Sequence, residues 1–148
     1  MRLLCPTLLI ALMCTFLSGC SDIDVAGLEG VSSIYWSDGD SGRIEGERFR
    51  LANVDAPETG NINSNGGAQC EEERLLGFEA KEFIIQATRN AEVVITSRSA
   101  PDRYGRSVVS LSVDGRDLAG LAIEAGYLRP WPHRNGRPAS PKPDWCAY

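Results

Sequence analysis

The sequence predicts an α+β domain built around a small antiparallel barrel, and three observations point there. Short β-prone segments are set off by tight-turn dipeptides. One long stretch places its apolar residues at helical spacing. The elements run strands, helix, strands, helix, without the βαβ repeat that a parallel sheet would need. No internal repeat or second domain is visible.

Taken in order, Val31–Trp36 alternates and is β-prone, so it reads as a strand. Asp38-Gly39-Asp40 has turn chemistry. Arg43–Val54 then reads as two short strands about a tight turn at Glu45-Gly46-Glu47. Thr59–Gln69 is polar and has no period, as a loop does. Glu71–Asn90 is the clearest helix, with acidic residues crowding a first turn where the helix dipole favours them. Leu76, Ala80, Phe83, Ile84 and Ala87 line one face of it, a stripe that reads as core. Glu92–Ser97 and Val108–Val113 are strands, and Asp114-Gly115 is a strong short-turn signal. Asp117 can cap a helix over Leu118–Ala125, with Gly126 as its stop. The tail beyond is rich in proline and basic residues and shows little regular pattern.

The first residues are expected to lie outside this fold. Arg2 is followed by an almost unbroken apolar run from Leu3 to Leu17, short for a membrane span and apt for an export signal. The run ends in Leu17-Ser18-Gly19-Cys20, which resembles a bacterial lipobox. That resemblance implies cleavage of residues 1–19 and a lipid anchor on Cys20, in a membrane-anchored lipoprotein of the bacterial cell envelope. An ordinary signal peptide, giving a periplasmic or secreted protein, is the alternative. Residues 20–30 read as a polar tether with a reach of roughly 18 Å, and 31–148 as the domain.

Cysteine usage agrees. Cys5 and Cys14 would leave with the signal and Cys20 would carry lipid, so Cys70 and Cys146 remain. Two thiols in an oxidising compartment read as one disulfide. Neither sits in a CxxC or beside a second sulfur or His ligand, which argues against a metal role.

The net charge of −5 argues against a general nucleic-acid binder, but its distribution is uneven. Gly126–Tyr148 carries Arg129, Arg134, Arg137 and Lys142 against Asp144 alone. Arg98–Arg106 sets Arg98, Arg103 and Arg106 against Asp102.

Charged groups gather beside turn residues in three segments: Asp38-Gly39-Asp40-Ser41, Arg50 to Glu58, and Asp102-Arg103-Tyr104-Gly105-Arg106. Singly, the first is a common turn and the last a loop with a surface ion pair. In the middle segment Arg50, Ala52 and Val54 are expected to share one strand face, with Asp55 at its end. Pro57 then fixes a turn on which Asp55 and Glu58 converge, and two carboxylates held together repel unless a cation sits between them.

In this order the three segments resemble the signature segments of the staphylococcal nuclease (thermonuclease-like) family, over roughly Val31–Arg129. The resemblance implies an OB-fold-type five-stranded antiparallel barrel with two or three helices. It implies a Ca²⁺-dependent phosphodiesterase acting as a monomer on DNA and RNA, with Asp40, Asp55 and the carbonyl of Ala56 as metal ligands. Glu58 would orient or deprotonate the attacking water, Arg50 and Arg106 would grip the phosphate, and Tyr104 would line the substrate site. A cation beside Glu58 would favour its ionised form. An inactive module that binds nucleic acid or an envelope component is the alternative.

The chain departs from the family pattern in a shorter hairpin between Asp40 and Arg50. It also lacks a long final helix and a tyrosine pair, for which Trp131 and the basic tail stand as substitutes. His133 reads as surface, with substrate contact its one conceivable role. Trp36 and Trp145 read as packing residues.

Overall fold

The computed structural model describes residues 28–147, so the expected signal segment, Cys20 and most of the expected tether lie outside the described residues. In chain order the elements are β1 (Glu29–Gly30), β2 (Ile34–Trp36), β3 (Ser41–Ile44), β4 (Glu47–Leu51), β5 (Val54–Asp55), α1 (Glu71–Thr88), β6 (Val93–Ser99), β7 (Ser107–Val113), β8 (Arg116–Asp117), α2 (Leu118–Glu124), β9 (Arg129–Pro130), β10 (His133–Arg134) and β11 (Arg137–Pro138). The main sheet has the order β1-β6-β7-β4-β3-β2, with β8 beside β7. Its neighbours run antiparallel except β4 and β7, which pair in parallel. The sheet curls strongly into a half-barrel with two helices, an OB-fold-like α+β arrangement as expected. A bulge between Ile95 and Ser97 adds to the curl, because an extra residue on one strand bends it.

Period-two patterning drives this sheet. Along β7, Val109, Leu111 and Val113 are buried while the serines between them are only partly covered. They pack with Phe49, Leu51, Ile95, Ile84 and Leu118 in one core, where Trp36 meets Phe49 edge to face at 5.0 Å. The hairpin turns at Glu45-Gly46 and Asp114-Gly115 hold both central residues at positive φ, which matches the twist of the flanking strands. Asp117 caps α2 as expected, its carboxylate accepting from the Gly120 N–H at 2.7 Å. The α1 stripe also faces the core, with Ala80 and Ile84 fully buried.

Three expectations need correction. Glu29–Gly30, placed in the tether, joins the sheet by pairing with β6. The strand expected to run through Val54 stops at Leu51, because Asn53 turns left-handed (φ 59°), a conformation that asparagine tolerates. Val54–Asp55 then pairs with β9 in a separate ribbon, so Arg50 and Val54 do not share a strand face. The tail is also more ordered than its composition suggests: it supplies β9 and the β10–β11 hairpin, and it buries Leu128 and Trp145.

Cys70 and Cys146 form the expected disulfide, with Cα atoms 6.1 Å apart. It closes a 76-residue separation, a constraint on the unfolded chain of about 4 kcal/mol in the chain-entropy account. The bond ties the end of the chain to the start of α1.

Candidate active site

The first and third of the charged segments fold as turns, each organised by one of its own aspartates. In the first, the Asp38 carboxylate accepts from the N–H groups of Asp40 (3.1 Å) and Ser41 (2.8 Å). Asp38 is therefore committed to the turn. Asp40 is left facing a cavity. In the third, Asp102 accepts from the N–H groups of Tyr104 and Arg106 and from the Arg106 guanidinium, at 2.7–3.0 Å. That fixes Arg106 and holds the Tyr104 ring in reach of it, 5.3 Å from guanidinium carbon to ring centre.

Sheet register brings these turns together. The antiparallel pair Ser41↔Arg50 sets Arg50 next to the first turn, and the parallel pair Phe49↔Ser107 sets it next to the third. Arg50 Nη2 donates to Asp40 Oδ2 (3.0 Å) and to the Val54 carbonyl (3.1 Å), and it lies 3.5 Å from Asp55 Oδ1. It thus bridges the break between β4 and β5.

The middle segment is held from below by α1. Buried Glu73 accepts from the N–H groups of Glu58 (3.3 Å) and Gln69 (2.7 Å). A Cβ at Gly77 would stand 2.6 Å from the Glu58 carbonyl oxygen, so only glycine lets the helix approach this closely. Across the site a Cβ at Gly39 would meet that of Ala56 at 2.9 Å, which keeps the first and second turns in contact.

The turns enclose a polar cavity of about 180 Å³. Asp40, Arg50, Asp55, Glu58, Tyr104 and Arg106 all line it, so these expected site residues converge. Ala56 is buried beside it. The wall holds the acids Asp38, Asp40, Asp55 and Glu58 against the bases Arg50, Arg103, Arg106 and Lys142, a formal balance of charge. A wider groove of about 890 Å³ continues past Tyr104 and Trp131 to His133 and Arg137. His133 there donates its N–H to Asn53 Oδ1 and packs edge-on against Trp131, away from the carboxylates.

The electrostatics are those of crowded acids. Burial pushes the Asp40 carboxyl up to about 8; Arg50 pulls it down, while Asp38, Asp55 and Glu58 add to the rise. Burial also raises Asp55, against the pull of the Trp145 hydrogen bond, Lys142 and Arg50. It raises Glu58 as well, despite a hydrogen bond and charge from Lys142. At Glu58 desolvation therefore outweighs the Lys142 ammonium; the cation expected to favour its ionised form is the bound metal ion, a separate charge.

A buried carboxylate disposed to protonate beside a second one is a site that a hard cation would relieve. Asp40 and Asp55 point oxygens at the same guanidinium nitrogen, so their donor chemistry fits a divalent ion. Among the described residues no group of three or more His, Cys, Asp or Glu side chains could hold a metal unaided. Main-chain, water or phosphate oxygens would complete such a shell.

A sequence model of the family described as staphylococcal nuclease homologue matches residues 48–137, more than half of the chain. The chain belongs to the staphylococcal nuclease family. No curated protein matches it. The nuclease-family segment contains Arg50, Asp55, Ala56, Glu58, Tyr104 and Arg106, and leaves Asp40, Lys142 and Trp145 outside its bounds.

Three residues of this nuclease-family site escaped the sequence reading. Lys142 bonds Glu58 Oε1 at 2.7 Å and Trp145 donates to Asp55 Oδ2 at 2.9 Å, so Trp145 is more than packing. Glu73 supports Glu58 from within the helix. Besides the basic charge of the tail, the signal that bore on its placement was Cys146, since its partner Cys70 opens the helix that carries Glu73.

Proposed function

We propose that this chain is a Ca²⁺-dependent endonuclease that hydrolyses DNA and RNA with little sequence preference, leaving 3′-phosphate ends. One observation carries the reading: two buried carboxylates, a third carboxylate and two arginines from three separate turns line a single cavity. A family member without turnover could bind a polyanion through its arginines and would not need three carboxylates assembled beside them.

Asp40, Asp55 and the Ala56 carbonyl would hold the calcium, which supplies, when bound, a hard positive charge against the phosphodiester. Arg50 and Arg106 grip the phosphate oxygens and stabilise charge growing on them, with the planar geometry that guanidinium provides. Asp102 holds Arg106 in place for this. Glu58 accepts a hydrogen bond from the attacking water and directs it at phosphorus. Tyr104 and Trp131 line the groove along which flanking bases lie. The chain is further proposed to be exported and anchored through a lipid on Cys20.

The test is cleavage of single-stranded DNA by the purified, oxidised protein with calcium and with chelator, followed by analysis of product ends. Calcium-dependent products with 3′-phosphates are expected, and Arg50→Ala or Arg106→Ala should lower kcat by about 10²–10³. An inert wild type, or an Arg106→Ala protein as fast as wild type, would overturn the assignment.

A further inference from the structure

Lys142 stands in the candidate cavity although none of the three motif segments contains it. Its Nζ lies 2.7 Å from Glu58 Oε1 and 3.7 Å from Asp55 Oδ1. Arg50 bonds Asp40 and shares Asp55 with Lys142, and Arg106 bonds Asp102, so neither arginine pairs with Glu58. Among the described residues Lys142 is the one basic side chain paired with Glu58.

Its delivery is built into the tail. On one side Trp131 Nε1 donates to the Ser140 carbonyl (3.0 Å), and the Ala139 N–H donates to the Pro132 carbonyl (2.8 Å). On the other, Arg129 Nη1 donates to the Asp144 carbonyl (2.7 Å), Trp145 bonds Asp55, and Cys146 is joined to Cys70. Between these anchors stands Pro141-Lys142-Pro143, whose two prolines restrict the backbone that carries the lysine. A tail already fixed at both ends gains little from one more ion pair that is a third exposed, so holding the tail down does not account for Lys142.

We infer that Lys142 is a positioning residue for Glu58. Its ammonium fixes the direction of the carboxylate by engaging Oε1, and among the described residues no donor engages Oε2, which is left for the attacking water. This role rests on the nuclease reading and deepens it. The responsible segment lies beyond the family-matched residues 48–137, so the device belongs to this chain's own tail.

A double-mutant cycle on the full oxidised chain tests it, with steady-state cleavage of single-stranded DNA in calcium. Lys142→Met should lower kcat about 10- to 100-fold, the usual effect of removing a partner that orients a site residue, with KM nearly unchanged. Lys142→Arg should recover part of the loss, and Lys142→Met should add little in a Glu58→Gln background. A Lys142→Met protein with wild-type kcat, a loss confined to KM, or an equal loss in the Glu58→Gln background would each overturn the role. Should Lys142→Met not fold, Lys142→Gln, which keeps a side chain of polar character without the charge, decides: a kcat equal to wild type would overturn the role, and a lowered kcat at constant KM would support it. An inactive wild type sinks the nuclease reading itself, an outcome separate from these.

Discussion

Trp145 donates its indole N–H to the Asp55 carboxylate at 2.9 Å, across a sequence separation of 90 residues. Both groups are buried, at 3% and 2% exposure, so this hydrogen bond to an acid is made out of water's reach. It aims one oxygen of Asp55 away from the cavity and leaves the other beside Arg50 and Lys142. Trp145→Phe keeps the ring and removes the donor. A loss of about 1.5–3 kcal/mol is expected from chemical denaturation, as for hydrogen bonds to charged groups. Calcium affinity measured by titration calorimetry should weaken about 10-fold or more, because an oriented ligand has lost its support. Unchanged values in both measurements would count against the role of the indole.

The acid Asp40 gives a pH signature. Its carboxyl is pushed up to about 8 by burial, well above the ordinary value of 3.8 that the unfolded chain retains. A raised folded value means that the native state holds the proton more tightly. The stability contributed is complete below about pH 4 and is lost as pH rises towards 8. Calcium requires the deprotonated acid, so it should raise the melting temperature increasingly over the same interval. Melting curves with calcium and with chelator between pH 5 and 9 check this, and a calcium shift that is flat in pH would contradict it.

Gly77→Ala sets two effects against each other. Helix propensity alone favours alanine by about 1 kcal/mol. The added methyl would stand 2.6 Å from the Glu58 carbonyl oxygen and 2.8 Å from that of Pro57, both main-chain atoms with little room to yield. Overpacking of this kind costs about 1–3 kcal/mol, so a net loss of stability is expected, together with reduced cleavage as Glu58 shifts. A more stable variant with full activity would show that helix and turn can separate freely.

Reduction of Cys70–Cys146 should cost activity beyond its cost in stability. About 4 kcal/mol of stability is at stake from loop closure across 76 residues. Trp145 adjoins the released cysteine, and Lys142 lies four positions before it. Cleavage assayed at a temperature where circular dichroism shows the reduced protein still folded should fall at least 10-fold. Full activity of the folded, reduced protein would mean that the tail holds its place without the bond.

The legible parts of the molecule were those written in short range. Alternation along Val108–Val113, the stripe through Ala80 and Ile84, and the Asp114-Gly115 turn each carry their own period or dipeptide, and each appears in place. The motif acids and arginines were legible because their turns are local, with Asp38 and Asp102 bonding within four residues of themselves. The break at Asn53 was not legible, since the pairing of Val54–Asp55 with Arg129–Pro130 is a tertiary choice. Lys142 and Trp145 were hidden for the same reason: their partners lie 84 and 90 positions away, and a proline-rich tail has no period to betray where it lands. Glu73 was read as a helix-dipole acid, and nothing in its spacing shows that it turns inward.

On the proposed nuclease reading, the bond that closes the tail onto α1 would also set when the chain can cut nucleic acid. A chain made where thiols stay reduced would carry its last residues unpinned, with Glu58 and Asp55 lacking the groups that aim them. Under the proposed export route, the producing cell's own genome would be met only by this slack form. Full potency would arrive after passage into oxidising surroundings, where the nucleic acid encountered belongs to something else.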